Sequence, residues 1–305
     1  MEFRQTFVNA LLELMEKDPK ICILDADLAK PNGTMPLYKK FPNRCFNVGI
    51  AEANMVGIAA GLASYGYKPI VFSFAPFVTR RVCDQIAISV AYAKQKVIIV
   101  GTDPGITAEL NGGTHMSFED VAVVRSIPNM VVYDVVDYKQ LPQALEQLLE
   151  IDNPVYIRMP RKADISIFTE DYKYQLYKAD VIKKGTDISI IATGIMVSEA
   201  NKAVEMLEKE GIHAELISVN TIKPLDEETI IESVKKTKKV ITCENHSLIG
   251  GLYSAVCELL SNKYPVKVLG IGIKNRFGQV GKYNELLKDY EMTAQDIYNE
   301  VKNNL

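Results

Sequence analysis

Short runs of apolar, β-branched residues alternate with helical patterns from the N-terminal region to Met159, and this alternation restricts the fold more than any other feature. The runs at Ile21–Leu24, Pro69–Phe74, Val97–Gly101, Met130–Tyr133 and Val155–Met159 are apolar apart from Ser73 and Arg158, as strands buried on both faces are. Helical periodicity occupies Glu52–Tyr65, Phe77–Ala93, Phe118–Ser126 and Tyr138–Glu150. Strands separated by helices predict a parallel sheet covered on both sides. Gly66 falls where the Glu52 helix needs a left-handed residue to stop, and Asp137 with Gln140 has capping-box spacing.

The alternation breaks near Pro160, and residues 161–184 are polar, tyrosine-rich and poorly periodic. It resumes with the strand Ile188–Ala192 and the helix Val197–Lys209, followed by strands at Ala214–Val219, Val240–Cys243 and Val266–Ile271. The helix Thr293–Lys302 closes the chain, with Thr293 and Asp296 spaced for a capping box. The predicted architecture is α/β in two domains, residues 1–165 and 185–305 joined by a linker over 166–184, each a mostly parallel sheet flanked by helices. A length of 305 residues agrees with two domains at about 150 residues each.

Composition removes several classes of function. Lys and Arg number 35 against 38 Asp and Glu, with no block of five or six like charges, so a strongly basic nucleic-acid binder is not expected. Apolar stretches such as Asp187–Val197 fall short of the ~20 residues that cross a bilayer, and the charged N-terminus reads as an amphipathic helix, not a secretion signal. Five cysteines with no CxxC and three scattered histidines argue against a disulfide framework or a zinc site, and fit a reducing cytoplasm.

Four segments of the first domain bear chemistry. Val48–Ala63 (VGIAEANMVGIAAGLA) places one carboxylate, Glu52, in an apolar setting at a strand-to-helix turn. Such a group needs a partner or a proton, unless it is a helix-start residue facing water. Phe72–Arg81 (FSFAPFVTRR) offers Phe74 and Phe77 either as core aromatics or as a platform for a flat heterocycle, with Arg80 and Arg81 beside it. The glycine-rich segment Thr102–Glu119 carries His115, the one histidine of this domain, after a strand, where ligands of open α/β sheets bind. No Walker A or GxGxxG motif is present. Arg158 and Arg161 in RMPR suit a phosphate or carboxylate, and equally an ion pair across the domain boundary. In the second domain, Glu244–Gly251 (ENHSLIGG) reads as a turn into a helix, with His246 available to a partner.

Together the motifs DADLAKPNGT, VGIAEANMVGIAAGLA, FSFAPF, NGGTH, RSIPNM, ENHSLIGG and NRFGQVG resemble the C-terminal half of a transketolase of the type divided into two polypeptides, in family order and nearly end to end. The resemblance implies a pyrimidine-binding domain followed by a transketolase C-terminal domain. It also implies transfer of a two-carbon ketol unit from a ketose donor to an aldose acceptor, with thiamine diphosphate as cofactor. Glu52 matches the catalytic glutamate at the aminopyrimidine. Phe77 and Phe74 match aromatics packed on that ring, Asp27 and Leu28 residues that line the cofactor, and Ile50 an apolar neighbour. His115 matches a substrate-binding, catalytic histidine, and Arg161 a phosphate-binding arginine. Asp103 and Asn111 depart from the family at substrate positions, standing where a histidine and an aspartate are usual. The GDG motif of the diphosphate and Mg²⁺ site is absent. The resemblance therefore implies an N-terminal partner subunit that holds the diphosphate and Mg²⁺, in an α2β2 assembly. Rival readings are the β subunit of a 2-oxo acid dehydrogenase, a 1-deoxyxylulose-phosphate synthase fragment, and a non-catalytic structural subunit.

Overall fold

The apolar runs of the first half become strands of one parallel sheet. The computed structural model describes residues 1–305, which divide into two compact units: Met1–Pro104 with Val123–Leu176, and Gly105–Ala122 with Tyr177–Leu305. In the first unit, β1 (Ile21–Asp25), β2 (Cys45–Asn47), β3 (Lys68–Phe74), β4 (Ile98–Thr102), β5 (Val131–Asp134) and β6 (Val155–Met159) lie in the order β5-β6-β4-β3-β1-β2. Every pairing along that order is parallel. Helices α1 (Phe3–Lys17), α2 (Ala29–Asn32), α3 (Met35–Lys40), α4 (Glu52–Ser64), α5 (Asp120–Ser126) and α6 (Gln140–Glu150) alternate with the strands along the chain. Strand β2 escapes sequence reading because it has three residues, of which only Cys45 is buried.

Two local features differ from the sequence expectation. The segment read as one helix over Phe77–Ala93 divides into a turn, a short 3₁₀ helix at Arg80–Val82 and a π-helix at Gln85–Tyr92. Phe77 N–H and Val78 N–H both donate to the Phe74 carbonyl, so Phe77 sits in a turn ahead of the helix. Asp137 does not form a capping box. Its Oδ1 accepts from Lys139 N–H at 2.6 Å and its Oδ2 from Ile167 N–H and Phe168 N–H, while Gln140 bonds Tyr133 and Tyr172. Gly66 takes the expected left-handed conformation, at φ 84°.

The second unit has a sheet in the order β12-β11-β8-β9-β7, formed by β7 (Asp180–Lys183), β8 (Ile188–Ala192), β9 (Ala214–Ser218), β11 (Val240–Ser247) and β12 (Val268–Ile273); the short β10 (Thr221–Lys223) follows β9 in the chain. Only β7, at the edge, is antiparallel to its neighbour. It arises inside the polar stretch whose sequence shows no strand pattern, because an edge strand alternates half-buried with exposed residues. Helices α7 (Met196–Glu208), α8 (Glu227–Thr237), α9 (Leu252–Lys263), α10 (Tyr283–Asp289) and α11 (Ala294–Asn304) complete the unit. Its core includes Ile191, Ile217, Val240, Val256 and Leu260. The Thr293–Asp296 capping box forms as its spacing predicts. No helix is long and apolar enough to cross a membrane.

Candidate active site

Glu52 is the first residue of α4, where the helix dipole favours a carboxylate, and it is 4% exposed. A carboxylate this buried needs a partner. Arg81 supplies one, with Nη1 2.8 Å from Glu52 Oε1. The Arg81 guanidinium lies 3.9 Å from the centroid of the Phe77 ring, and the Arg81 side chain is 46% exposed. Phe77 meets Phe74 edge-on, with centroids 6.0 Å apart. Phe74 ends β3, and its ring carries the guanidinium of Arg161 at 4.8 Å. Arg161 is in turn bound to Asp103: Nη2 and Nε reach Oδ2 at 2.5 and 2.7 Å, and the Arg161 backbone N–H donates to Oδ1 at 2.8 Å. Asp103 follows the end of β4, Arg161 follows β6, and these strands are neighbours. Five residues singled out from sequence therefore form one row within the first unit, joined by Arg81.

Asp27, Leu28 and Ile50 sit on two loops of the same unit. Asn47, at the end of β2, ties the loops together: its Oδ1 accepts from Asp27 N–H and Gly49 N–H, each at 3.0 Å, and its Nδ2 donates to Asp27 Oδ1 at 3.1 Å. Asp27 is exposed at φ 61°, Leu28 is half-buried, and Ile50 is 78% exposed. Below the first loop, the buried Asp25 carboxylate accepts from Thr34 Oγ1 at 2.7 Å and Asn32 Nδ2 at 3.1 Å. Burial pushes its pKa up to about 6 against the lowering effect of those bonds.

His115 and Asn111 belong to the second unit, on residues 105–122. The His115 ring bonds Thr114 Oγ1 at 2.9 Å, and Asn111 Nδ2 donates to the Ala108 carbonyl at 2.9 Å. The end of β11 and the chain after β12 hold this loop. Asn245 Oδ1 accepts from Ile106 N–H at 3.0 Å, Ser247 N–H donates to the Phe118 carbonyl at 2.8 Å, and Glu109 Oε1 accepts from Tyr283 N–H at 3.2 Å. A Cβ on Gly113 would stand 2.3 Å from the Gly278 carbonyl oxygen, so only glycine allows the backbones to approach this closely. Where the sequence suggests a turn at ENHS, the structure has the last residues of β11. His246 is buried there, donating from Nδ1 to the Ser247 carbonyl at 2.6 Å and accepting from Ala122 N–H at Nε2 at 3.4 Å. Glu244 accepts from Leu252 N–H and Tyr253 N–H at the start of α9. Sequence reading misses Asn47 and Asn245. No group of three His, Cys, Asp or Glu residues is placed to hold a metal ion.

Comparison with known proteins assigns the chain to a family. Residues 1–164 match the transketolase pyrimidine binding domain, and residues 177–297 match the transketolase C-terminal domain. The chain belongs to the transketolase family, combining these two domains as a transketolase C-terminal subunit does. It is 49% identical over 294 residues to the 6-deoxy-6-sulfo-D-fructose transketolase subunit SqwH of Clostridium sp. (strain MSTE9), covering 96% of this chain and 91% of that protein. It is 42% identical over 302 residues to a putative transketolase C-terminal section of Methanocaldococcus jannaschii, covering 98% and 94%. A solved structure described as a split gene transketolase, inactive beta4 tetramer, superposes with a TM-score of 0.90 at 39% identity, covering 99% of this chain and 97% of that one.

Proposed function

We propose that this chain supplies the aminopyrimidine half of a thiamine-diphosphate site, and that a separate N-terminal transketolase subunit supplies the diphosphate and Mg²⁺ half. The observation that carries this reading is the position of Arg81. A planar, nitrogen-bearing group lies on the Phe77 ring and donates to the buried Glu52 carboxylate. A flat aminopyrimidine would stack on the same ring and meet the same carboxyl group through a ring nitrogen, with one proton shared between them, once that half-exposed side chain swings away. The residues present therefore fit the ring end of the cofactor. When bound, thiamine diphosphate supplies the nucleophilic ring carbon that carries a two-carbon unit between sugars.

Glu52 would hold and exchange a proton at Oε1 with the ring nitrogen facing it. Phe77 and Phe74 would cover the ring and exclude water, with Asp27, Leu28 and Ile50 along its edges. His115 would act on the sugar and, with Asn111, bind its hydroxyl groups; Arg161, oriented by Asp103, would receive an anionic end. The 49% identical relative is named for a sulfonated ketose, which extends the range of anions to consider beyond phosphate. We further propose an α2β2 assembly in which two copies of this chain meet through the exposed side of α4, where Gly57, Ile58 and Gly61 face solvent.

Mixing the chain with an N-terminal subunit that carries the GDG motif is expected to give ketol transfer. Glu52→Gln preserves side-chain size, so melting should stay near wild type while turnover falls by about 10²–10⁴. Wild-type turnover in Glu52→Gln would reduce Glu52 to a helix-start residue and remove the proposal.

A further inference from the structure

We infer that Asp103 selects the charge of the substrate's far end, so that Arg161 receives a singly charged tail, sulfonate or carboxylate, in preference to a phosphate dianion. This rests on the proposed role of Arg161 as the contact for that tail. Asp103 and Arg161 are 4% and 7% exposed, and both carboxylate oxygens of Asp103 are engaged by Arg161. Asp103 thus occupies the Nε edge of the guanidinium and leaves Nη1 for a ligand. The pair is neutral as a whole, and its positive end is the arginine. Attraction of an anion to such a fixed field grows in proportion to the anion's charge, whereas the cost of desolvating that anion grows as the square. Weakening the field with one buried carboxylate therefore penalises a phosphate, at roughly −1.5 to −2, more than a monoanion. The Phe74 ring under the guanidinium offers no charge to offset this. The neighbouring Arg158 is 3.3 Å from Asp134 and is already neutralised.

The test uses the reconstituted enzyme and ketoses of one carbon skeleton ending in phosphate, sulfonate or carboxylate. Wild-type enzyme should show higher kcat/KM for the two monoanions, and comparing these two identifies the preferred one. Asp103→Asn, which keeps size and removes the charge, should shift the ratio of phosphate to monoanion by about 10- to 100-fold towards phosphate, mainly through KM. A wild-type preference for phosphate overturns the proposal without any variant, as does an Asp103→Asn effect equal on all three tails. Arg161→Gln separates the underlying reading: if KM for every tail is unchanged, Arg161 does not meet the substrate and the charge selection falls with it. Absence of transfer with all three ketoses and with an uncharged ketose refutes the ketol-transfer reading and, with it, the assignment of Asp103.

Discussion

At the scale of single residues, the molecule accepts a cost beside its candidate site. Asp25 is fully buried, and its pKa is pushed up to about 6 by desolvation. Below about pH 4 the carboxyl is protonated in both the folded and the unfolded chain. Between about pH 4 and 6 the folded protein keeps a proton that the unfolded chain has lost, so stability falls as pH rises. Above about 6 the folded state carries the whole penalty, on the order of 3 kcal/mol. Asp25→Asn should therefore flatten the profile between pH 4 and 6 and raise stability at pH 7 by about 1–3 kcal/mol. The geometry permits it: the new Oδ1 can accept from Asn32, and the new NH₂ can donate to Thr34 Oγ1, whose own proton turns to the Ala29 carbonyl at 3.3 Å. Urea unfolding at pH 4.5 and 7 measures both values, and an unchanged slope would show that Asp25 is not the group responsible.

At the scale of elements, strand ends and loops do different work. Strands β1, β3, β4, β5 and β6 are legible in sequence because both of their faces are buried, which leaves a largely apolar run in each. Glu52 is legible for the related reason that a lone carboxylate in apolar sequence demands an explanation. Asn245 is not legible: its partner, Ile106 N–H, lies 139 residues away, and no local pattern encodes that pairing. Nor is the division of the segment Phe77–Ala93, since its apolar residues satisfy helical spacing whether the turn begins before or after Phe77. Asn245 gives β11 a role beyond the sheet, because it fixes the loop that carries Asn111 and His115. Asn245→Ala leaves a buried N–H without its partner, a loss of about 1–3 kcal/mol. Amide exchange over residues 105–117 should quicken, and KM for the sugar should rise about tenfold with thiamine diphosphate affinity unchanged. Unaltered exchange across that loop would mean that its other contacts suffice to hold it.

At the scale of the whole molecule, α4 joins the candidate site to the assembly proposed above. A helix apolar on all sides is normally buried on all sides. Met55, Val56, Ala59 and Ala60 are buried in this chain, while Gly57, Ile58 and Gly61 face outward. Gly57 and Gly61 are four residues apart and share one face, and a Cβ on either would meet nothing within 4 Å. Two small residues on an exposed apolar face let another backbone come close, which suits a second copy better than solvent. Gly61→Lys tests this cleanly because its effects on fold and assembly have opposite signs. Within one chain, replacing a helical glycine by lysine should stabilise by about 0.5–1 kcal/mol. Between chains, the new ammonium must be desolvated or must hold the helices apart. The variant is therefore expected to melt at or slightly above the wild-type temperature, yet to sediment as a smaller species, with reconstituted turnover reduced in step. If Gly61→Lys sediments with the wild type, the α4 face is not the contact between copies, and the proposed α2β2 assembly must be built through another surface.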